Sequence, residues 1–340
     1  MSVTPRIPAA ELRGFATELL QCGGVEADEA RITAEVAVWN DLVGRPTQGV
    51  ERLPTFLTQV ATGAIQSPCA AILRRTGPAT AQLDGNRGLG YVLGARAVDE
   101  VAALAAESGI GAVGVRRSNH LGSGAAWAHR LADRGFVSIV VSNSFAKVAP
   151  PGGSRALLGT NPFAFGCPGP DGRSILVDFA TAASSGSAIR AATRAGEPIA
   201  PDVLATTAAG TPVLQSQDGK GFALALCVEV LAGVLTGAAI GTEVGSMFAK
   251  DDAAADVGHC FVALDPKRFD GGTNFMSRIA ALLASVRSTS CLPDAEQPRV
   301  PGDERWARYE DNLTHGVELP TTTREDLAAC AAQLSIKTPW

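Results

Sequence analysis

Residues 159–162 read Gly159-Thr160-Asn161-Pro162, between Ser142-Asn143-Ser144 upstream and Val177-Asp178-Phe179-Ala180-Thr181 downstream. Arg117-Ser118-Asn119-His120 precedes this block in the chain, and Gly219-Lys220-Gly221-Phe222 follows it. Some of these polar segments directly follow apolar runs that predict buried strands, at 111–115, 136–142 and 175–177. Because α/β enzymes bind their ligands at the carboxyl ends of strands, the pattern indicates an α/β fold with its site at these segments.

The order of the segments resembles the malate/L-lactate dehydrogenase type 2 family over roughly residues 10–335. Each segment is weak evidence alone, but together and in order they are specific. Members of that family are NAD(P)H-dependent reductases of small 2-oxo and 2-imino acids. One departure matters as much as the match: where the family usually carries Ser-His-Gly, this chain has Thr47-Gln48-Gly49.

The composition is that of an ordinary globular enzyme, with 340 residues of which 46 % are hydrophobic and 19 % charged. The net charge is −5 and no Lys/Arg run occurs, so nucleic acid is not expected as a partner and a small anionic substrate needs a local positive site. Seven scattered cysteines argue for reduced thiols in a cytoplasmic protein. No His/Asp/Glu cluster has metal-ligand spacing, so we expect no metal.

One apolar stretch, from Phe222 to Gly241, is about as long as a membrane span and has Glu229 as its only charge. Helices buried inside α/β enzymes have the same composition. Nothing else in the chain indicates membrane insertion, and the first residues lack the apolar segment of a signal peptide. We therefore expect a buried helix here and no membrane association.

Apolar periodicity predicts helices within residues 8–64, followed by alternating strands and helices that indicate a layered α/β core. The later helices are expected at 94–108, 123–134, 222–236, 273–288 and 320–336, and the strands at 79–83, 111–115, 136–142, 163–165, 175–177 and 260–264.

The family resemblance makes this fold class more specific. It implies a layered α/β/α mixed sheet of the L-sulfolactate dehydrogenase-like kind, not the usual Rossmann fold, with a helical N-terminal subdomain. That subdomain is expected over residues 1–75, with 305–340 packing on it. An α/β part for substrate and dimer contacts is expected over 76–120, and an NAD(P)H-binding α/β domain over 121–304. The resemblance also implies a homodimer.

Gly88-Leu89-Gly90-Tyr91-Val92-Leu93-Gly94 resembles a dinucleotide-binding fingerprint, but its context is poor. The preceding strand is short, and Gly111 to Val115 is followed by Arg116-Arg117 where an acidic residue should bind the ribose. We therefore interpret these glycines as a turn that enters a helix.

Hydride transfer to C2 of a 2-oxo or 2-imino acid needs a cation for the substrate carboxylate and a hydrogen-bond donor at the C2 heteroatom. Arg52 fits the first role, since its guanidinium fork matches both carboxylate oxygens. It stands four residues after Gln48, so on a helix both side chains would share one face. By resemblance, Arg52 and Thr160 contact the substrate, and Thr47 and Gln48 replace the family's catalytic Ser-His pair.

His120 and Asp178 are the other catalytic candidates. Taken alone, His120 is as well explained by a structural role; the match to the family's Ser-Asn-His-x-Gly segment favours a residue that orients substrate or nicotinamide, or passes a proton. Asp178 ends a predicted buried strand, where a carboxylate needs a partner, so it either caps the next turn or serves the site. His259 is expected to be structural.

The resemblance implies a nicotinamide cofactor, NADPH in the first place with NADH possible. Gly219-Lys220-Gly221 would meet a phosphate at a helix start, and Pro301-Gly302-Asp303 would close over the cofactor. The approach to Lys220, residues 215–218, departs from the family's glycine-rich pattern. The implied cofactor contacts are His120, Ser144, Thr160, Asn161, Asp178, Phe179, Ala180, Thr181, Ala182, Gly219, Lys220, Gly221, Gly302, Asp303 and Glu304.

The residue at position 48 bears on the choice of substrate. Gln48 has no proton to give, whereas the reduction of a ketone needs a general acid. A cyclic imine can arrive already protonated, so the sequence favours NADPH-dependent reduction of Δ1-pyrroline-2-carboxylate or Δ1-piperideine-2-carboxylate to L-proline or L-pipecolate. One alternative is a malate/lactate-type 2-hydroxy acid dehydrogenase with His120 as proton donor. Others are a dehydrogenase of ureidoglycolate or sulfolactate, and a catalytically inactive ligand-binding paralogue.

Overall fold

A computed structural model of the chain describes residues 5–184, 189, 192, 196–199, 203–206, 212–215, 218–248, 252–269 and 274–340. Its α-helices are α1 (Ala9–Cys22), α2 (Ala27–Leu42), α3 (Leu53–Thr62), α4 (Gly90–Ser108), α5 (Gly124–Asp133), α6 (Asp218–Glu229), α7 (Phe275–Arg287), α8 (Asp303–His315) and α9 (Thr321–Gln333). Its strands are β1 (Arg6–Ile7), β2 (Ile72–Gly77), β3 (Thr80–Asp84), β4 (Ile110–Ser118), β5 (Val137–Ser142), β6 (Phe163–Cys167), β7 (Ile175–Phe179), β8 (Leu204–Thr206), β9 (Pro212–Leu214), β10 (Val257–Leu264) and β11 (Val317–Glu318).

Seven strands form one mixed sheet in the order β2-β3-β4-β10-β5-β6-β7. Strands β3 and β4 run parallel, and all other neighbours run antiparallel. The prediction of an α/β fold with a mixed sheet is therefore confirmed. The predicted strands occur within a few residues of their expected bounds, but β2 was missed because its side chains are mostly exposed and give no apolar run.

Helices cover both faces of this sheet. Successive residues of a strand point to opposite faces. Val140 of β5 and Phe261 of β10 belong to the main core that contains α4 and α5, whereas Val141 and Cys260 pack with α6 and the turn after it. Because both faces are covered, the central strands are apolar without alternation. This arrangement is the expected α/β/α layering.

The N-terminal helices share the main core with the sheet, and the end of the chain lies against them. Strand β1 pairs with β11, and Asn312 of α8 donates a 2.9 Å hydrogen bond to the carbonyl oxygen of Leu42 at the end of α2. The sequence did not predict α8: Asp303 begins this helix, and Gly302 takes the left-handed conformation before it, with φ of 109°.

The apolar stretch predicted as a buried helix over 222–236 differs from expectation. Helix α6 starts at Asp218, and after Glu229 the chain continues as a π-helix, Val230–Val234. Its side away from the sheet remains uncovered in the single chain: Leu226 is 50 % and Leu235 68 % exposed. The expectation of full burial was wrong, because the helix is apolar on all sides and the sheet covers only one of them. Among the described residues, no helix has the length and hydropathy to cross a bilayer.

His259 ties three strands together at one end of the sheet. The side chain is fully buried, with Nδ1 2.8 Å from Ser142 Oγ and Nε2 2.8 Å from Ser118 Oγ. Each serine hydroxyl also donates to the carbonyl oxygen of the next residue, Ser142 Oγ to Asn143 at 2.9 Å and Ser118 Oγ to Asn119 at 3.3 Å, so the two serines hold the ring from both sides. Burial lowers the pKa of the imidazole to about 3, which keeps it neutral. The expected structural role fits this geometry.

This pKa predicts how stability depends on pH. The imidazole has a pKa of about 6.5 in an unfolded chain and about 3 in the folded protein. Between these values only the unfolded chain binds the proton, so the free energy of unfolding falls by about 1.4 kcal/mol per pH unit as pH decreases. Above pH 6.5 both states are neutral and the contribution is constant. Urea unfolding at pH 7 and pH 5 should show that the free energy of unfolding decreases less between these pH values in His259→Gln than in the wild type. Equal decreases would contradict the assignment.

Candidate active site

A cavity of about 440 Å³ opens at one end of the sheet. Strands β4, β5 and β7 end there, and β10 begins there. Four segments supply most of its wall, at 45–52, 120–123, 142–147 and 178–184, together with Thr160 and residues 245–248. The location at strand ends is where the sequence placed the site, and the volume lies in the range of small-molecule sites.

Residues 46–52 form two short 3₁₀ turns, Pro46–Gln48 and Val50–Arg52, on either side of Gly49. The shared α-helical face that the spacing of Gln48 and Arg52 allowed is therefore not formed. Both side chains nevertheless line the cavity. The turn is anchored by Asp41, a buried side chain whose Oδ2 accepts a 2.9 Å hydrogen bond from the Val50 N–H. Burial raises the pKa of Asp41 well above its usual range.

His120 and Gln48 contact each other directly. The Nε2 atom of His120 lies 2.8 Å from Oε1 of Gln48. An amide oxygen only accepts, so Nε2 carries a proton in this contact. Tyr91 fixes the same turn, since its hydroxyl donates a 2.6 Å hydrogen bond to the carbonyl oxygen of Gln48. Gln48 thus orients the His120 ring.

Arg52 is almost fully buried but reaches the cavity. Its Nε donates to the carbonyl oxygen of Thr47, and its Nη2 lies 3.3 Å from Glu51 Oε1. The remaining nitrogen, Nη1, has no such partner among the residues that the structure describes. The Cζ atom of Arg52 also lies 5.9 Å from the centre of the Phe248 ring. A cation held in this way is suited to a ligand carboxylate.

Asp178 lines the cavity near the start of α5. Its Oδ2 accepts a 3.2 Å hydrogen bond from the Ala125 N–H and lies 3.7 Å from Nη2 of Arg305. The side chain therefore caps a helix from another part of the chain, not the turn that follows it. Burial raises the pKa of Asp178, opposed by Arg305, by the Ala125 N–H and by Arg45.

The structure brings many of the predicted site residues into one wall. Those that line the cavity are Thr47, Gln48, Arg52, His120, Ser144, Thr160, Asp178, Phe179, Ala180 and Ala182. Behind this wall, the Thr181 hydroxyl donates to the carbonyl oxygens of Thr160 and Asn161, and the Asn161 side chain points to α6. These two residues support the wall and do not form its surface.

Two groups of predicted cofactor contacts lie outside the cavity wall. Gly219, Lys220 and Gly221 form the first turn of α6 and do not precede it; residues 216–217 lie outside the described residues. Gly302, Asp303 and Glu304 start α8, where Asp303 pairs with Arg287 at 2.8 Å and Glu304 pairs with Arg308 at 2.9 Å. The structure thus shows neither group at the cavity.

Sequence reasoning missed several side chains of the wall, among them Arg45, Lys147 and Phe248. Arg45 stands two residues before Thr47, so its place in the same turn was the available signal. Lys147 Nζ lies 3.6 Å from the centre of the Phe145 ring. With Arg52, the wall carries three cationic side chains, a local positive site in a chain of net charge −5.

These residues fit a nicotinamide cofactor and a small acid. Ser144 and Thr160 supply polar groups, and the Thr160 N–H donates a 3.1 Å hydrogen bond to Ser144 Oγ, which fixes the two segments against each other. The cationic side chains suit phosphate and carboxylate groups. Among the described residues, no group of His, Cys, Asp and Glu could hold a metal ion.

Comparison with known proteins gives a consistent result. The sequence model of the malate/L-lactate dehydrogenase family matches residues 7–328. The (2R)-3-sulfolactate dehydrogenase (NADP(+)) of Chromohalobacter salexigens is 32 % identical over 96 % of this chain and 98 % of its own.

Solved structures agree with this relationship. Sulfolactate dehydrogenase from Methanocaldococcus jannaschii superposes with a TM-score of 0.89 at 26 % identity, over 98 % of each chain, which confirms the predicted fold type. The Δ1-piperideine-2-carboxylate reductase from Pseudomonas syringae pvar. tomato shares the fold, with a TM-score of 0.85 at 23 % identity over 96 % of this chain and all of that one.

The turn at Gly49 gives a test of this geometry. A Cβ there would lie 2.1 Å from Asp41 Oδ1, so Gly49→Ala should destabilise the protein by about 1–3 kcal/mol and displace Gln48 and Arg52. We expect a lower midpoint in urea unfolding and a loss of NAD(P)H-dependent activity. Gly14→Ala is the control, since a Cβ at this helical glycine meets nothing within 4 Å. Full activity of Gly49→Ala would show that the turn does not position the site.

Proposed function

The chain belongs to the malate/L-lactate dehydrogenase family, and from this we propose that it is an NAD(P)-dependent dehydrogenase of a small 2-hydroxy acid. The observation that carries the proposal is the contact between His120 and Gln48 beside Arg52 in one cavity. His120 lies where it can donate a proton to the C2 oxygen, whereas the lack of a proton donor at position 48 had favoured an imine substrate. The relative from Chromohalobacter salexigens also acts on a hydroxy acid, as its name states.

Each role follows from the side chains present. Arg52 binds the substrate carboxylate through a bidentate, charge-assisted pair of hydrogen bonds. Gln48 orients the His120 ring by accepting a hydrogen bond from Nε2–H, and the imidazolium form of His120 gives one ring proton to the C2 oxygen when the 2-oxo acid is reduced. The bound nicotinamide supplies or accepts the hydride at C2. Asp178, whose pKa is raised by burial, lies in the same wall with its Oδ2 atom 3.7 Å from Nη2 of Arg305.

The charges of the cavity support a substrate with two anionic groups. Arg52 would bind one carboxylate, and Arg45 stands in the same wall, where its charge also lowers the pKa of Asp178. Sulfolactate, named for the relative in Chromohalobacter salexigens, carries a carboxylate and a sulfonate. That relative uses NADP(+), which supports NADPH as the cofactor here, with NADH as the alternative to be compared.

Reduction of a cyclic imine is the second candidate, and Gln48 is the observation that favours it. A protonated imine needs no proton from the enzyme, so an amide at position 48 would suffice. The two candidates differ in what they require of His120: the 2-oxo acid needs its proton and the iminium does not.

The replacement of His120 separates these chemistries. In the wild type, NADPH-dependent reduction of 2-oxo acids should exceed that of Δ1-pyrroline-2-carboxylate in kcat/KM. His120→Asn should lower 2-oxo acid reduction about 10²–10⁴-fold, because the general acid is lost. His315→Asn, at an exposed site on α8, serves as the control. A wild type that prefers the cyclic imine, with His120→Asn retaining that activity, would overturn the main proposal in favour of the second.

Two arginines test the substrate class. Arg52→Ala should reduce kcat/KM for every acid at least tenfold, since a charge-assisted hydrogen bond contributes about 1.5–3 kcal/mol. Arg45→Ala should raise the KM for malate- or sulfolactate-type dianions and leave the KM for lactate-type monoanions nearly unchanged. NADPH fluorescence should show nearly the same cofactor affinity in Arg52→Ala. Equal losses for monoanions and dianions in Arg45→Ala would show that Arg45 does not read a second anionic group.

The homodimer implied by the resemblance is proposed here as well. The uncovered aliphatic side of α6 and its π-helical end is a surface of the kind that subunit contacts bury. Sedimentation velocity of the wild type tests it, and an active monomer would contradict it.

A further inference from the structure

Glu229 is a buried carboxylate at the end of α6, 4 % exposed. Its Oε2 accepts a 2.7 Å hydrogen bond from Asn161 Nδ2. Its Oε1 accepts from the Gly241 N–H at 2.7 Å and from Asn143 Nδ2 at 3.3 Å. Three donors from three different segments therefore converge on one side chain.

No lysine or arginine in the described part of the chain forms an ion pair with Glu229. A buried carboxylate without a cation depends on hydrogen bonds to offset its lost hydration. The donors must therefore remain in place around both oxygens. This requirement fixes the position of each segment relative to α6, because moving any one of them away leaves part of a buried charge unpaired.

Two of the three segments are walls of the cavity. Asn143 is followed by Ser144, and Asn161 is preceded by Thr160; Ser144 and Thr160 both face the cavity. Asn161 has a positive φ of 33°, so its backbone is held in a conformation that a non-glycine residue rarely adopts. The hydrogen bond from Asn161 Nδ2 to Glu229 Oε2 stabilises this conformation from the side of the wall that faces away from the cavity.

Helix α6 changes its pitch directly after Glu229. Immediately after Glu229 the chain forms the π-helix Val230–Val234, a feature that commonly marks functional sites. Gly233, within it, lies so close to Asn143 that a Cβ there would be 3.0 Å from Asn143 Nδ2. The helix is thus shaped to bring its carboxylate and its backbone against the wall of the cavity.

We propose that Glu229 is a positioning residue of the active site, which holds the Asn143–Ser144 and Thr160–Asn161 walls at the separation that the nicotinamide cofactor and its substrate require. The inference rests on the proposed function for its catalytic consequence, but the positioning itself is a property of the unliganded protein. Glu229 touches neither substrate nor cofactor in this account.

Glu229→Gln is the decisive variant, because it keeps the size of the side chain and replaces one acceptor oxygen by an NH₂ group. That group would face the amide or backbone N–H of a neighbour, so donor would meet donor. Glu243→Gln is the matched control: this exposed carboxylate accepts from the Ile240 N–H at 3.4 Å, close to Gly241, without reaching Asn143 or Asn161.

Hydrogen exchange of the unliganded protein is the first readout. In Glu229→Gln we expect faster exchange at 143–145 and 158–161, with the rest of the sheet protected as in the wild type. Glu243→Gln should change neither segment. Unchanged exchange at both walls in Glu229→Gln would overturn the proposal, whatever the activity, and a uniform rise across the sheet would show a general structural role instead.

Cofactor affinity and kinetics are the second readout. The Kd for NADPH and the KM for the acid should rise about tenfold or more in Glu229→Gln, and Glu229→Asp should recover part of the loss because it restores a carboxylate. If Glu229→Gln fails to fold, Asn161→Ala removes the donor at the other end of the 2.7 Å hydrogen bond and should give the same exchange pattern. A wild type that binds no nicotinamide cofactor would refute the proposed function and leave the exchange result to decide the positioning.

Discussion

The buried polar groups at one end of the sheet are the constraint on which the site depends. Glu229 and His259 each lie fully or almost fully inside the protein, and each is paired with groups from neighbouring segments. Because leaving such groups unpaired costs more than a neutral hydrogen bond contributes, the ends of β4, β5 and β10 have little freedom to move apart. The residues that follow those strand ends, His120 and Ser144 among them, inherit fixed positions.

Much of this site could be predicted from the sequence. The polar segments after predicted strands, His120 and Asp178 in particular, do converge on one cavity. What the sequence could not show was the local path of the chain. The spacing of Gln48 and Arg52 would place both side chains on one face if the segment were α-helical, but Asp41 and Gly49 bend it into two 3₁₀ turns. Such tertiary contacts leave no periodic signal.

The same reasoning explains two other differences. The stretch around Glu229 was recognised as a helix with one charge, yet only the fold shows that the charge reaches Asn161 and that the opposite side stays uncovered. Asn161 itself was expected at the cofactor, and it supports the wall from behind. Resemblance assigns a residue to the neighbourhood of a site, whereas the direction of its side chain follows from packing that involves residues far apart in sequence.

The contact between His120 and Gln48 changes how the substitution at position 48 is understood. Alone, an amide in place of an imidazole removes an acid; next to His120, its oxygen accepts a hydrogen bond from Nε2–H and orients the ring. The central claim is hydride transfer to C2 of a 2-oxo acid, and isotope transfer tests it most directly. With NADPH deuterated at nicotinamide C4 on the transferring face, mass spectrometry of the 2-hydroxy acid product should show one deuterium at C2. If the product contains no deuterium at C2 whichever face of nicotinamide C4 carries the label, the account is contradicted.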